Sequence, residues 1–272
     1  GGKKTIKKNF KRYNSIGKEE IKAANKVLKT GILSDYIADY SNHFHGGKKV
    51  REFELKCQNY FKVKRAIPVN SWTSGLIAAV GSLNINPGDE IIVSPWTMSA
   101  SAAAIVHWNA IPVFADIEKE TFNLDPKKFE KKITKKTKAI LPTHFLGLPA
   151  DMFKIMKIAK RYKLKVIEDC AQSPDAKIHG RKVGSFGDLG CYSFYTNKII
   201  TTGEGGMIVT NNYKYYKKLV YLKNLAFGKP RFFHKVDGYN FRLGSLQAAL
   251  GLSQLKKVRK SIKKKRNIAK LY

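Results

Sequence analysis

The sequence predicts an α/β protein built on a largely parallel β-sheet with helices on both faces. Apolar runs that read as strands alternate with helix-like segments between residues 66 and 169. This strand–helix–strand spacing is typical of βαβ units, which form parallel sheets. The strand runs are continuously apolar, as expected when helices cover both faces of the sheet.

Each predicted element rests on its own local pattern. An amphipathic helix covers residues 18–30 and ends at Gly31, and a second helix covers residues 48–61. Apolar runs predict strands over residues 66–69, 90–94, 111–115, 138–143, 165–169, 191–195 and 205–211. Helix-like segments separate the earlier strands at residues 73–83, 99–108, 126–132 and 151–162. A long basic amphipathic helix runs from Ser245 to Leu271.

The predicted elements suggest two parts of unequal size. We assign residues 1–243 to a large ligand-binding α/β domain with an N-terminal helical segment. Residues 244–272 form a long helix that leads toward a smaller C-terminal domain. The helical pattern continues to the last residues and the chain lacks an initiator Met. We therefore expect a piece of a longer protein, with the small domain truncated.

The charge is strongly basic, with 52 Lys and Arg against 20 acidic residues and a net charge of +32. One interpretation is a polyanionic partner, and the other is a general bias of the proteome toward lysine. Only nine of the basic residues are Arg, and the lysines are spread along the whole chain. Nucleic acid is therefore not expected as the main partner, whereas a positive field would attract phosphorylated small molecules.

The composition also bears on the compartment. No run of about 18 apolar residues is present, so no membrane span is expected. The first residues lack an apolar signal segment, which argues against secretion. The three cysteines have no metal-binding spacing and fit reduced thiols of a cytoplasmic protein.

Unusual residues follow several predicted strands, at the edge of the sheet where ligands bind. In VNSWTSGLIAAV, a helix that starts near Thr73 offers N–H groups and hydroxyls to a phosphate, although an ordinary N-cap explains the pattern equally well. In VIEDCAQS, Asp169 closes an apolar strand. A carboxylate there needs a partner, such as a cationic ring nitrogen, or else serves as an N-cap.

Lys198 lies in SFYTNKIITTGEGG, between a strand end and a glycine-rich return. A lysine that loses hydration at such a place becomes a nucleophile for carbonyl carbons, although most lysines are plain surface charges. No GxGxxG or P-loop pattern is present. A phosphate-binding helix start, a carboxylate and a lysine, in this order along a parallel sheet, are what a pyridoxal phosphate site requires.

The chain resembles the DegT/DnrJ/EryC1/StrS family of sugar aminotransferases, which have pyridoxal phosphate fold type I. The resemblance rests on HFLGLPADM, on the stretch from VIEDCAQSPDA to GEGGMIVTN, and on YNFRLGSLQAALGLSQLKKV. It implies that Lys198 holds the cofactor and moves protons, that Asp169 pairs with the pyridinium nitrogen, and that Gln172 contacts the hydroxyl side of the ring.

The resemblance also implies the phosphate contacts and a homodimer. Thr73, Ser74 and Ser193 would bind the cofactor phosphate, and Asn240 would reach the phosphate in the neighbouring subunit. Trp72 stands where the family usually has a glycine, which alters the local loop but keeps the hydroxyls.

The residue that stacks on the cofactor ring is usually aromatic in the family. By register this position is Met98 here, with Trp96 two residues earlier as the alternative.

The resemblance implies a transaminase, because relatives that dehydrate sugars carry His where this chain has Lys198. L-Glutamate is the expected amino donor, and a nucleotide-linked keto-deoxy sugar is the expected acceptor. The products would feed surface polysaccharide or related sugar pathways. Another fold type I enzyme and a catalytically silent family member remain alternatives. His144 either lines the pocket or is structural.

Overall fold

The computed structural model describes residues 2–3, 5–9, 13–37, 39 and 41–272, and its helices and strands agree closely with the predicted ones. The helices are α1 (Lys18–Leu28), α2 (Lys48–Phe61), α3 (Trp72–Ser82), α4 (Ser99–Val106), α5 (Pro126–Glu130), α6 (Met152–Arg161), α7 (Tyr213–Lys223) and α8 (Ser245–Ala269). The strands are β1 (Arg65–Val69), β2 (Glu90–Val93), β3 (Ile111–Phe114), β4 (Thr137–Leu141), β5 (Lys165–Asp169), β6 (Lys177–Ile178), β7 (Arg181–Lys182), β8 (Leu189–Ser193) and β9 (Gly206–Thr210).

Seven strands form one sheet in the order β1-β9-β8-β5-β4-β2-β3. The pairs from β8 to β3 are all parallel, whereas β9 is antiparallel to both of its neighbours, β8 and β1. The sheet is therefore mostly parallel, as predicted. Because β9 runs in the opposite direction, its first residue lies at the same edge as the carboxyl ends of the other strands.

Helices cover both faces of this sheet. On one face, α3, α4 and α7 pack against alternate strand residues such as Ile67, Ile91 and Ile208. On the opposite face, α2 and α8 cover the β1–β9–β8 end, and α5 and α6 cover the β5–β4–β2 end. Strand β2 shows the division directly, since Ile91 and Ile92 point into different clusters. Burial on both faces explains the continuously apolar strands.

Helix α7 and the β6–β7 hairpin were not predicted from the sequence. Helix α7 follows β9 directly and packs on α3, and the two-residue strands β6 and β7 form a small antiparallel hairpin. The predicted helix at residues 245–271 is confirmed as α8, which packs against α1 and α2. Its first half is buried up to Val258, whereas Ile268 near its end is exposed. The division into two parts stays a prediction.

Across the part of the chain that the structure describes, no helix is both long and apolar enough to cross a membrane.

Candidate active site at the carboxyl edge of the sheet

The start of α3 forms a hydroxyl-lined helix N-terminus at the end of β1. Helix α3 begins at Trp72, one residue earlier than predicted, and its N-cap Ser71 accepts through Oγ a hydrogen bond of 3.0 Å from the Ser74 N–H. The Ser71 and Ser74 hydroxyls are 2.8 Å apart, and Thr73 lies beside them in the first turn. Helix N-termini of this kind attract anions through free N–H groups and the helix dipole.

Gly206 brings Ser193 close to this helix start. Strand β9 lies between β1 and β8 in the sheet, and its Gly206 pairs with Val69 on one side and with Ser193 on the other. A Cβ on Gly206 would come within 2.8 Å of the Ser71 carbonyl group and the Trp72 nitrogen, so only glycine permits this approach. The predicted phosphate contacts Thr73, Ser74 and Ser193 therefore share one part of the edge. The contact with the start of α3 explains why the GEGG sequence ends in a glycine at residue 206.

Asp169 ends β5 as a buried carboxylate that accepts one backbone N–H bond and two long hydroxyl bonds. Its side chain is 2% exposed. Oδ1 accepts from the Ala171 N–H at 3.0 Å, and Oδ2 accepts from the Ser101 and Thr143 hydroxyls at 3.3 and 3.4 Å. Burial raises the pKa of the Asp169 carboxyl above its usual value, although the hydrogen bond from the Ala171 N–H opposes this. Among the described residues, no cationic side chain forms an ion pair with it.

The sequence pointed to residues 95–99 and Thr143 as positions after strands, but it did not assign these hydroxyls, or that of Ser101, to Asp169. Thr97 links the two hydroxyls that contact Asp169, at 3.1 Å from the Ser101 Oγ and 3.2 Å from the Thr143 Oγ1. The available signal was their position, because they follow β2 and β4 at the ligand-binding edge.

Glu168, the acid that precedes Asp169, lies in a different environment. Groups of the protein itself occupy both of its carboxylate oxygens. Its carboxylate accepts from the N–H groups of Gly184, Phe186 and Gly187, each at 2.7 Å. His144 Nε2 lies 3.0 Å from the same carboxylate, and its Nδ1 accepts from the Ala150 N–H at 3.0 Å. The proton therefore resides on Nε2, which donates to Glu168. Since His144 is fully buried in these contacts, the structural interpretation of this residue holds.

His144, Glu168 and Cys170 also place one potential metal-ligand atom each within 4.8 Å of one another. The hydrogen bonds just described already occupy both His144 nitrogens and both Glu168 oxygens. Burial also raises the pKa of the Cys170 thiol well above its usual value, which disfavours a metal-binding thiolate. These three residues form a structural cluster.

Lys198 lies in the loop between β8 and β9, half-buried, with its N–H bonded to the Tyr195 carbonyl at 3.0 Å. Burial lowers the pKa of the Lys198 amine, the Asp169 carboxylate opposes that shift, and Lys265 of α8 adds to it. The amine and Asp169 therefore interact electrostatically across the same edge. A lowered amine pKa increases the neutral, nucleophilic fraction of the lysine.

Gln172 follows β5 and holds a neighbouring turn in place. Its Oε1 accepts from the Leu146 N–H at 2.6 Å. Because that oxygen is engaged, the side-chain NH₂ group is the donor that Gln172 offers to a ligand.

Met98 and Trp96 precede α4 and have different environments. The Met98 side chain is 61% exposed, and its backbone carbonyl caps the helix by accepting from the Ser101 N–H. Trp96 instead belongs to an aromatic cluster, with ring centroids 6.0 Å from Phe122 and 6.2 Å from Phe145. Because the Trp96 side chain is also 52% exposed, the choice of Met98 as the residue that covers a cofactor ring stays a prediction.

Asn240 lies on the exposed loop between α7 and α8. Its Oδ1 accepts from Arg242 Nε at 2.8 Å, and its backbone carbonyl accepts from the Asn70 side chain at 3.3 Å. Asn70 directly precedes the α3 N-cap, so Asn240 lies on the surface beside the helix start of its own chain.

The fold and the residues at the carboxyl edge of the sheet are those of the fold type I pyridoxal phosphate proteins. The family model for the DegT/DnrJ/EryC1/StrS aminotransferase family matches residues 14–272, and the chain belongs to this family. The resemblance predicted from the sequence is thereby confirmed, together with the fold class and with pyridoxal phosphate as the cofactor of the family.

Three similar proteins show the extent of the match. The chain is 41% identical to GDP-perosamine synthase from Vibrio cholerae over 83% of this chain and 62% of that protein. It superposes on the aminotransferase from Psychrobacter cryohalolentis with a TM-score of 0.83 at 36% identity, covering 92% of this chain and 64% of the other. For NtdA from Bacillus subtilis with bound cofactor PMP, the TM-score is 0.79 at 32% identity, with 91% and 55% covered. The chain spans less than two thirds of each.

The residues at the edge fit this cofactor. Asp169 is a buried carboxylate without a cationic partner among the described residues, as a protonated ring nitrogen requires. Gly206 keeps open the approach of β9 to the hydroxyl-bearing start of α3. The fit rests on these two features of the chain itself.

Proposed function

We propose that this protein is a pyridoxal phosphate-dependent aminotransferase that moves an amino group from an amino acid to a nucleotide-linked keto-deoxy sugar. The observation that carries the proposal is the half-buried Lys198 with its lowered amine pKa, interacting with the buried Asp169. A lysine at this place supports transamination, and the 41% identity to a GDP-perosamine synthase supports the sugar substrate.

In the proposed reaction, bound pyridoxal phosphate supplies an electron-withdrawing ring and an aldehyde carbon that exchanges amines. Lys198 Nζ would hold the cofactor at that carbon, and the same amine would take and return a proton during the exchange. The Asp169 carboxylate holds a proton on the ring nitrogen, and its hydroxyl partners, Ser101 and Thr143, fix its orientation.

The other predicted residues bind and orient the cofactor in this proposal. Thr73, Ser74 and Ser193 bind the phosphate together with the N–H groups at the start of α3. The Gln172 NH₂ group donates to the ring oxygen, and Met98 covers the ring.

We further propose that the protein is a cytoplasmic homodimer that takes its amino group from L-glutamate. The exposed Asn240 serves the phosphate of the neighbouring subunit, so each site needs two chains. L-Glutamate is the proposed donor. Cys57, Cys170 and Cys191 are free and buried, which fits a reducing compartment and supports a cytoplasmic location.

The complete reaction tests this function. Purified protein would be incubated with pyridoxal phosphate, L-glutamate and a panel of GDP-, UDP- and dTDP-linked keto-deoxy sugars, and products followed by mass spectrometry. We expect one amino sugar, formed in equal amount with 2-oxoglutarate, and no product from Lys198→Ala. If a protein that binds the cofactor aminates none of the keto sugars but deaminates glutamate, the substrate assignment is wrong.

A further inference from the structure

A large open cleft lies outside the proposed active site, between α1, α2, α8 and the β6–β7 hairpin. Its volume is about 1040 Å³, and none of the proposed cofactor-binding residues lines it. The cleft therefore has no role in the proposed reaction.

The cleft is far more basic than the chain as a whole. Ten of its 22 lining residues are Lys or Arg and two are acidic, whereas Lys and Arg make up 52 of all 272 residues. Both acids are already paired, since Glu52 binds Lys49 at 2.8 Å and Glu19 binds Lys257 at 3.2 Å. A general lysine bias does not explain this local excess.

Lys182 is the buried part of this basic lining. Its side chain is only 9% exposed, with Nζ 2.8 Å from Asp175 Oδ1 and 3.3 Å from the centroid of the Tyr60 ring. Burial lowers the pKa of Lys182, Asp175 opposes this, and the cations Lys177 and Arg259 lower it further. Like charges from the hairpin and α8 thus repel one another across the cleft, and an anion between them relieves the repulsion.

Size and lining together restrict the class of anion. The volume is at the upper end of small-molecule sites and far exceeds what one phosphate needs. The cations come from four elements, including Lys22 of α1 and Lys56 of α2, so they suit several phosphate groups rather than one. Tyr60 is the one aromatic residue among the described lining residues, and Lys182 occupies its face. The cleft therefore offers no free aromatic face on which successive nucleic-acid bases could stack.

We propose that this cleft binds a small anion that carries two or more phosphate groups. The contacts are made to the phosphates by lysine and arginine side chains of α1, α2, α8 and the hairpin. Free inorganic oligophosphate and the phosphates of a nucleotide present the same chemistry to these residues.

Calorimetric titration of the complete protein with tripolyphosphate at low ionic strength tests the proposal. The cleft variant combines Lys56→Gln, Lys256→Gln and Arg259→Gln, three exposed positions on α2 and α8. The control variant combines Lys132→Gln, Lys135→Gln and Lys157→Gln, which remove equal charge from exposed positions outside the cleft. We expect the cleft variant to bind about tenfold or more weakly, and the control to stay within about twofold.

Further ligands separate the sources of the phosphate. Pyrophosphate and a nucleoside diphosphate should bind with similar affinity, and added salt should weaken both. Binding of the nucleoside diphosphate alone would overturn recognition through phosphates. So would absence of tripolyphosphate binding, or equal weakening in both variants. A short single-stranded DNA that binds more tightly than tripolyphosphate and depends on the same three residues would assign the cleft to nucleic acid instead.

Discussion

Two adjacent carboxylates at the end of β5 illustrate how strongly position decides the role of a residue. Glu168 and Asp169 point to opposite faces of the strand. Glu168 accepts three backbone N–H bonds and one from His144, whereas Asp169 accepts longer bonds from hydroxyls and one N–H. One carboxylate holds the loop at residues 184–187, and the other is available to a cationic ligand.

This difference predicts opposite phenotypes for two isosteric substitutions. Glu168→Gln should lower the free energy of unfolding by about 3 kcal/mol or more, because buried N–H groups lose a charged acceptor. Asp169→Asn should change stability little, since it removes a buried carboxylate without an ion-pair partner, but should weaken cofactor binding and turnover by about a hundredfold or more. Urea unfolding and cofactor titration of both variants measure these effects.

The reverse pattern would contradict the roles assigned to the pair. A stable Glu168→Gln protein would show that the loop does not depend on that carboxylate. Unchanged cofactor binding in Asp169→Asn would show that Asp169 does not face the ring nitrogen.

Glu54 and Lys223 form a buried pair that makes stability depend on pH. Their closest atoms are 3.7 Å apart, and Lys223 is 1% exposed. Burial raises the pKa of Glu54 from 4.5 to about 7, with Lys223 opposing the shift. Burial lowers the pKa of Lys223, but Tyr36 and Glu54 raise it overall, so its ammonium stays charged near neutral pH.

The sign of this dependence follows from the raised carboxyl pKa. The unfolded chain loses the Glu54 proton near pH 4.5, whereas the folded protein keeps it until about pH 7. The contribution of Glu54 to stability is therefore complete below pH 4.5 and is lost by pH 7, a change of roughly 3 kcal/mol. In urea unfolding, the stability of the wild-type protein relative to Glu54→Gln should fall by roughly 3 kcal/mol over this range, because Gln does not titrate. A constant difference would show that Glu54 titrates normally.

At the scale of elements, local pattern predicted most of the sheet but not all of its connections. The strands from β1 to β5 alternate with helices, and this period is visible in the residues. The direction of β9 is not, because a strand buried on both faces reads the same in either direction. The clue was the connection, since β8 reaches β9 through a loop without a crossover helix.

Helix α7 was missed for a different reason. Its sequence, YKYYKKLVYLK, is rich in tyrosine, and its buried side includes Lys223. A charged residue on the core side breaks the apolar stripe from which amphipathic helices are recognised.

The close approach of β9 to α3 can be tested with a pair of glycine substitutions. Gly206→Ala should push the start of α3 away and weaken cofactor binding about tenfold or more, because its Cβ would lie 2.8 Å from the Ser71 carbonyl group. Gly251→Ala is the control, since its Cβ would lie 2.5 Å from Phe53 in the α2–α8 core. That variant should lose about 1–3 kcal/mol of stability without weaker cofactor binding. Equal cofactor affinity in the two variants would show that the start of α3 does not bind the cofactor phosphate.

At the scale of the whole molecule, the sequence showed the net positive charge but not where the lysine side chains cluster after folding. Lysines are spread along the chain, and only folding brings those of α1, α2, α8 and the hairpin around one cleft. The candidate active site was more predictable, because strand ends of a parallel sheet converge at one edge. Its hydroxyl network and the role of His144 depended on side-chain contacts between distant segments, which local pattern does not contain.

The proposed dimer predicts complementation between two inactive variants. Lys198→Ala loses its own site and Asn240→Ala disables the site of its neighbour. A mixed dimer therefore keeps one intact site. After mixing and subunit exchange, about a quarter of the wild-type rate of glutamate deamination should return, as expected for random C₂ pairing. Mixtures as inactive as the separate variants, in a sample shown to exchange subunits, would place Asn240 in the site of its own chain.

The central claim is that Lys198 holds pyridoxal phosphate for amine exchange. It is tested most directly by the visible absorbance spectrum of the purified protein with the cofactor, then with L-glutamate, beside Lys198→Ala. We predict the absorbance band of a cofactor held covalently by a lysine, its disappearance on addition of glutamate, and no such band in the variant. The same band in both proteins, or a bound cofactor that does not respond to glutamate, would contradict the claim.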